Sequence, residues 1–138
     1  ERNPAHVTYV LSPNENDPRN DIVADKAYWL SGLTLRDEAS GIGTIDVRSE
    51  GFGVTDPVPL AVVETTEIFT GGNHEPAPYT HRVLDWAPAA APISDRLVIS
   101  AQNIATVTID PKRARVSCNA TLEIDSDGPL EVTLAGCN

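Results

Sequence analysis

The sequence contains no methionine, two cysteines and few aromatic residues, which make up 5% of the chain. Basic residues are also scarce: Lys and Arg total 10 against 20 Asp and Glu, so the formal net charge is −10. This charge repels the phosphates of nucleic acids and the headgroups of anionic lipids, and neither is an expected partner. Because no apolar run approaches the roughly 18 residues that span a bilayer, we also expect no membrane insertion.

The two cysteines, Cys118 and Cys137, lie close to one end of the sequence. Two thiols alone are too few for a structural metal site, whereas one pair is typical of a structural disulfide formed in an oxidising compartment. We therefore predict a Cys118–Cys137 disulfide and a secreted, extracellular protein.

The length and composition favour one β-rich domain. A chain of 138 residues suits a single hydrophobic core, so we predict one domain over residues 1–138. The 11 prolines and 9 glycines, together with recurring Val, Ile and Thr, are typical of short strands separated by turns. About nine such segments at roughly ten-residue spacing predict an all-β fold, an antiparallel β-sandwich of Ig-like, jelly-roll or Greek-key type with one disulfide.

Alternating hydrophobicity predicts a first hairpin in the middle of the N-terminal half. Leu35 would lie opposite Ile45, with Ala39–Gly41 as a three-residue turn that ends in glycine. A β-bulge at Gly32 would explain why the apolar positions change parity within the first of these two strands.

A second hairpin is predicted at the C-terminus, where Ile124 would lie opposite Leu130. Continuing this register brings Cys118 to within one residue of Cys137. A local kink at Gly136 would then allow the disulfide to close.

The remaining strands are predicted from shorter patterns. A break is expected at Asp56-Pro57, and the Ala87–Pro92 tract is interpreted as a long crossover between sheets and not as a domain linker. The strand predictions, of which the first is expected at a sheet edge, are Ala5–Leu11, Gly51–Thr55, Leu60–Thr66, Tyr79–Leu84, Leu97–Ala101 and Ala105–Ile109.

Two histidines form a candidate transition-metal site. His74 and His81 are close in sequence, with Glu75 between them, and imidazole and carboxylate ligands can bind zinc or copper. A small metal-dependent enzyme is thus one hypothesis. The alternative is that both are ordinary exposed histidines.

A polar loop from residue 14 to residue 25 offers the hard oxygen ligands that calcium prefers, although it lacks the spacing of an EF-hand. The alternative is a solvated loop without a metal. The candidate calcium ligands are Asn14, Asn16, Asp17 and Asp21.

Four aromatic residues could form a platform on which sugars stack, provided that two of them share an exposed face. The chain would then be a carbohydrate-binding module with a polysaccharide partner; otherwise these rings lie in the core or at its rim. The four residues are Tyr28, Trp29, Tyr79 and Trp86.

Two motifs bear on nucleophilic catalysis and on covalent modification. The chain contains no Gly-x-Ser-x-Gly pentad, which a serine hydrolase places between a strand and a helix. Asn119-Ala120-Thr121 matches the acceptor pattern for N-glycosylation.

Several segments resemble the β-rich C-terminal modules that follow the catalytic domain of some large secreted actinobacterial α/β-hydrolases. The resemblance implies a noncatalytic module of a longer secreted protein, which supports or orients an adjacent hydrolase domain or another protein. No active-site residue carries over, because the hydrolase motif is missing from this sequence. The segments are Asp25–Leu33, Gly43–Val47, Ala114–Cys118, Asp127–Leu130 and Ala135–Cys137.

Overall fold

A computed structural model of the chain describes residues 3–14, 17, 19–20 and 22–137, and the side chains of all of these except residues 60, 61, 84 and 85. Within this part of the chain the structure is all-β, as predicted, with nine strands, two short 3₁₀ helices and no α-helix. The 3₁₀ helices are Glu38–Ser40 and Glu50–Phe52. The strands are β1 His6–Leu11, β2 Leu30–Leu35, β3 Gly43–Ser49, β4 Val54–Phe69, β5 Ala77–Ala90, β6 Arg96–Gln102, β7 Ile104–Ile109, β8 Thr121–Ser126 and β9 Glu131–Leu134.

The chain divides into two compact units. The first, called the sandwich below, is formed within residues 1–54 and 91–138 and holds two sheets. The second, called the ribbon below, comprises residues 55–90, in which β4 and β5 form a two-stranded sheet.

The two sheets of the sandwich have different sizes. The larger has the strand order β1-β3-β6-β8, and the smaller has the order β2-β7-β9, so β1 lies at a sheet edge as predicted. The β1–β3, β3–β6 and β2–β7 pairs are antiparallel, whereas β6–β8 and β7–β9 are parallel. Parallel pairs cannot be joined by tight hairpins, so the chain crosses between the sheets to reach β8 and β9.

The core lies between the two sheets. In β3 every second residue is buried, and its Val47 lies beside Ile99 of β6. The smaller sheet contributes Val107 and Ile109 of β7 to the same cluster. Burial of each large apolar side chain contributes roughly 1.5–3 kcal/mol, so this alternating pattern supplies most of the driving force for folding.

The first predicted hairpin is wrong. β2, which contains Leu35, pairs with β7, while β3, which contains Ile45, pairs with β1 and β6 in the other sheet. Ala39 lies in a 3₁₀ helix between them. The matching parity of Leu35 and Ile45 arises because both strands present apolar residues to one core from opposite sheets. It does not make them hydrogen-bonded neighbours.

The C-terminal hairpin is wrong for the same reason. Ile124 of β8 lies beside Ile99 in the larger sheet, whereas β9 pairs with β7 in the smaller sheet. As predicted, Ile124 is on the core-facing side of its strand, beside the buried Ile99, but β8 is an edge strand and leaves Ile124 45% exposed.

The bulge predicted at Gly32 is confirmed. The β2–β7 register shifts between Ser31 and Thr34, and Gly32 has a φ of +59°. Glycine enters this left-handed region without the strain that a Cβ atom causes. The Gly32 carbonyl accepts a hydrogen bond from Thr106 Oγ1 at 2.8 Å.

The disulfide is also confirmed, with a Cα–Cα distance of 5.5 Å between Cys118 and Cys137. Cys118 precedes β8 of the larger sheet and Cys137 follows β9 of the smaller sheet, so the bond links the two sheets. Gly136 has a φ of +74°, which supplies the kink expected beside Cys137.

The boundaries of the ribbon differ from the prediction. A separate strand at Gly51–Thr55 is not formed, because Glu50–Phe52 is a 3₁₀ helix. The expected break at Asp56-Pro57 lies inside β4, and β5 extends to Ala90, into the tract interpreted as a crossover. A strand of a two-stranded sheet has a hydrogen-bonded neighbour on one side only, so a proline is tolerated where its nitrogen faces the open side.

Candidate functional site

The candidate calcium ligands lie partly outside the described residues, since Asn16 and Asp21 are not among them. Asp17 is engaged within its own loop: its carboxylate accepts hydrogen bonds from Asn20 Nδ2 at 2.7 Å and from the Arg19 amide at 3.0 Å. These bonds, with the Asn20 bond the stronger influence, lower the pKa of Asp17. The Asp17 carboxylate therefore organises a turn, and calcium binding by this loop stays a prediction.

The two histidines lie in the ribbon, in different settings. His74 is exposed in the loop between β4 and β5. His81 lies within β5, and its ring centroid is 5.9 Å from that of Tyr79. Among the described residues, no three His, Cys, Asp or Glu side chains come close enough together to hold a metal ion. The structure thus does not gather the predicted histidine site around a third ligand of this kind.

The four aromatic residues are divided between the two units. Trp29 belongs to the sandwich core at 1% exposure, and its Nε1 donates to the Pro4 carbonyl at 2.8 Å, so its ring has no face for a sugar. Tyr28 is exposed in the sandwich, while Tyr79 and Trp86 are exposed in β5 of the ribbon.

Tyr79 and Trp86 do not form one platform. They are separated by an odd number of positions along the continuous strand β5. Because successive side chains of a strand point to opposite faces, the two rings lie on opposite faces of the ribbon.

Exposed apolar side chains are the main chemical feature of the ribbon. Among the described residues, eight of the fifteen large hydrophobic side chains that are exposed lie here, in about a quarter of the chain. The sequence alone indicates only Tyr79 and Trp86 of this surface, as residues on which sugars could stack, and it places Val62, Val63 and Val83 in strands of a single domain. The eight are Val58, Val62, Val63, Ile68, Phe69, Tyr79, Val83 and Trp86.

Side-chain contacts between β4 and β5 fix which residues share a face. Thr66 Oγ1 and Thr80 Oγ1 are 3.1 Å apart, and Arg82 forms an ion pair with Glu64. These even-numbered residues therefore occupy one face, called the even face below, and alternation places Val62 and Ile68 beside them.

The opposite face, which carries the odd-numbered residues and is called the odd face below, has a carboxylate among its apolar residues. Tyr79 Oη donates to Glu67 Oε2 at 2.7 Å, and this bond raises the pKa of the Tyr79 phenol. Alternation places Val63, Phe69 and Val83 on this same face. Both faces of the ribbon therefore carry exposed apolar side chains together with polar pairs.

A second polar cluster lies on the outer face of the larger sheet. Asp46 Oδ2 is 2.6 Å from both His6 Nε2 and Thr8 Oγ1. Burial of Asp46 raises its pKa, but the hydrogen bonds from Thr8 and His6 and the positive charges of His6 and Arg48 outweigh this and lower it. Ser100 is the cross-strand partner of Asp46, so the carboxylate stands between serine and histidine. In a serine hydrolase the histidine occupies that middle position.

A small cavity of about 220 Å³ opens beside the end of β1. Its apolar walls include Leu11, Leu33 and Leu35, and its rim carries Asp25 and Glu38. Pockets for small molecules are usually larger, on the order of 300–1,000 Å³. The ribbon thus offers far more apolar surface to a partner than this cavity does.

The fold and this surface define a disulfide-linked β-sandwich with a two-stranded ribbon inserted between β3 and β6 in chain order. The chain matches no known protein family, no curated protein and no solved structure. The described residues include no helix that is long and apolar enough to cross a membrane.

Proposed function

We propose that this chain is a noncatalytic interaction module of a secreted protein, and that its ribbon binds an adjacent hydrolase domain or another protein. The observation that carries the proposal is the exposure of large apolar side chains on both faces of the ribbon. An isolated two-stranded hairpin is only marginally stable in water, so such a surface is typical of a segment that is covered by a partner.

The exposed fractions of these side chains set the free energy that a partner would gain by covering them. Val62, Val63 and Phe69 are 55%, 56% and 57% exposed. Complete burial of such a side chain contributes roughly 1.5–3 kcal/mol, so covering the exposed half contributes about 1 kcal/mol for each. Several of them together can support specific binding after the entropic cost of association is met.

The remaining parts of the proposal have separate support. The Cys118–Cys137 disulfide is of the kind that persists in secreted proteins. The hydrolase as neighbour comes from the resemblance of sequence segments such as Asp25–Leu33 to hydrolase accessory modules.

Site-directed photocrosslinking tests the proposal. A benzophenone amino acid replaces Phe69 in the ribbon of the protein secreted by its source organism, and cross-linked products are identified by mass spectrometry. A matched control carries the same group at Thr133, an exposed position of β9 in the sandwich.

We expect cross-links from position 69 to a catalytic hydrolase domain, in the same polypeptide or in another, and few from position 133. Equal cross-linking from both positions, or none from position 69, would overturn the proposal. A cross-link to a polysaccharide would instead favour the carbohydrate-binding alternative.

A further inference from the structure

We infer that the surface bound by the ribbon is apolar and positively charged; this rests on the proposed function, which it makes more specific. The inference comes from the charges that accompany the apolar residues. Residues 55–90 contain five acidic residues and one basic residue, a formal charge of −4.

The single basic residue is already neutralised. Arg82 is the only Lys or Arg in residues 55–90, and it forms an ion pair with Glu64 on the even face. A partner that covers the ribbon must therefore supply the compensating positive charge.

The odd face shows where such a charge would be needed. Glu67 accepts a hydrogen bond from the Tyr79 hydroxyl. By alternation along β4, Glu67 lies on the same face as Val63 and Phe69. One hydrogen bond leaves most of the lone pairs of a carboxylate to be satisfied, at present by water. A partner that removes this water without supplying a donor would leave the carboxylate charge unpaired, which opposes binding. A Lys or Arg side chain beside an apolar surface would pair that charge.

The same charges argue against two other occupants. A second copy of the chain would bring together two molecules of net charge −10, and two ribbons of like charge. An anionic bilayer would repel the ribbon in the same way. A basic and apolar protein surface is the occupant that matches both properties.

Binding of synthetic helical peptides tests the inference with the whole chain. The probe has leucine on one face of an amphipathic helix and lysine on the other, and the two control peptides replace lysine by glutamate or leucine by serine. Affinity is measured by fluorescence anisotropy at two salt concentrations.

The variants separate the ribbon from the charge of the whole chain. Val63→Thr and Glu67→Gln alter the odd face, and Val10→Thr and Glu131→Gln make the same changes at exposed positions of the sandwich. We expect each ribbon variant to weaken binding of the leucine–lysine peptide at least fivefold and each sandwich variant to change it less than twofold. The effect of Glu67→Gln is expected to shrink at high salt.

Three outcomes would overturn the inference. Equal weakening by ribbon and sandwich variants would mean that general charge attraction holds the peptide. Tighter binding of the leucine–glutamate peptide would mean that the partner is not basic. The third outcome is self-association or membrane binding that Val63→Thr abolishes. Concentration-dependent dimerisation in sedimentation would identify a second copy as the occupant, and flotation with phosphatidylserine vesicles would identify a membrane.

The crosslinking experiment keeps this inference distinct from the proposed function. A cross-link from position 69 to a hydrolase surface without Lys or Arg leaves the proposed function standing and refutes the inferred charge. Absence of any ribbon-specific cross-link refutes both.

Discussion

Removal of the Cys118–Cys137 disulfide has an effect whose size can be worked out from the structure. The two cysteines are 19 residues apart in sequence. In the chain-entropy account, cross-linking a loop of this length removes about 11 cal/mol/K from the unfolded state, or about 3 kcal/mol at 25 °C. The Cys118→Ala/Cys137→Ala variant is therefore expected to lose about 3 kcal/mol of unfolding free energy, a large part of the roughly 5–15 kcal/mol typical of a domain.

The structure also predicts where this loss is felt. The disulfide ties the start of β8 to the end of β9, and each of these strands has a single hydrogen-bonded neighbour, β6 and β7 respectively. Strand β3, in contrast, is paired on both sides and buried. Amides of β8 and β9 are expected to lose hydrogen-exchange protection first, while those of β3 retain it.

Urea unfolding followed by circular dichroism measures the free energy, and native-state hydrogen exchange measures the local effect. The slope of the unfolding free energy against urea should rise in the variant, because its unfolded chain is less compact. A loss below about 1 kcal/mol with an unchanged slope would refute the reasoning from unfolded-state entropy. Loss of protection in β3 as early as in β8 would refute the local part.

Three further predictions concern the sandwich. Ser49 Oγ donates to the Ala114 carbonyl at 2.5 Å and accepts from the Gly51 amide at 3.2 Å, so Ser49→Ala should lower the unfolding free energy by about 1–3 kcal/mol in urea titrations. A Cβ atom at Gly51 would lie 2.0 Å from the Arg115 carbonyl oxygen, so Gly51→Ala should cost about 1–3 kcal/mol or more and lower the melting temperature. The pKa of Asp46 is lowered in the folded state. The ionised Asp46 carboxylate therefore stabilises the fold above the unfolded pKa of about 3.9, and this stabilisation is lost as the pH falls through the folded pKa. Asp46→Asn should reduce the dependence of the unfolding free energy on pH in this acidic range.

Matched substitutions serve as controls for these three changes. Gly71→Ala places a Cβ 3.6 Å from the Phe69 ring, an ordinary contact, and should leave the melting temperature unchanged. Ser100→Ala removes an exposed hydroxyl, and Asp125→Asn removes an exposed carboxylate from the same sheet as Asp46. Equal effects of a variant and its control would mean that the named contact is not the cause.

The sequence predicted the faces of the strands better than their neighbours. Val7 and Leu11 of β1, and Ile45 and Val47 of β3, are buried at the positions that alternation indicates. Alternation records which side of a strand meets the core, and this is a local property of the sequence. Whether Ile45 lies beside Leu35 or across the core from it depends on the path of the chain between the strands, which the parity of apolar residues does not encode.

The disulfide shows how a correct prediction can accompany a wrong topology. Cys118 and Cys137 were placed together by a hairpin that does not exist. They meet because β8 and β9 lie in opposite sheets with their ends close, and because Gly136 turns the chain beside Cys137. Two cysteines allow only one pairing, so this prediction did not depend on the register that was used to support it.

The candidate site was predicted less well, for a physical reason. Adjacent apolar pairs such as Val62-Val63 and Ile68-Phe69 occur in strands that are buried on both faces as well as in strands that await a partner. Only the structure distinguishes these cases, because it leaves these four side chains 55–66% exposed. Trp29 shows the converse, since an indole in the core and an indole on a binding face have the same sequence signature.

The prolines of the ribbon indicate how a partner would bind it. Pro57, Pro59, Pro78 and Pro88 lie within β4 and β5 and have no N–H group to donate. An N–H group of a two-stranded ladder faces either the neighbouring strand or the open edge, so each proline at an open-edge position removes a donor that an added strand would need. Addition of a further strand, which is the usual route to aggregation of exposed β-edges, is thereby disfavoured, whereas the apolar faces stay accessible. The ribbon is therefore suited to binding through its side chains against a preformed surface, which is the mode that the leucine–lysine helix probes.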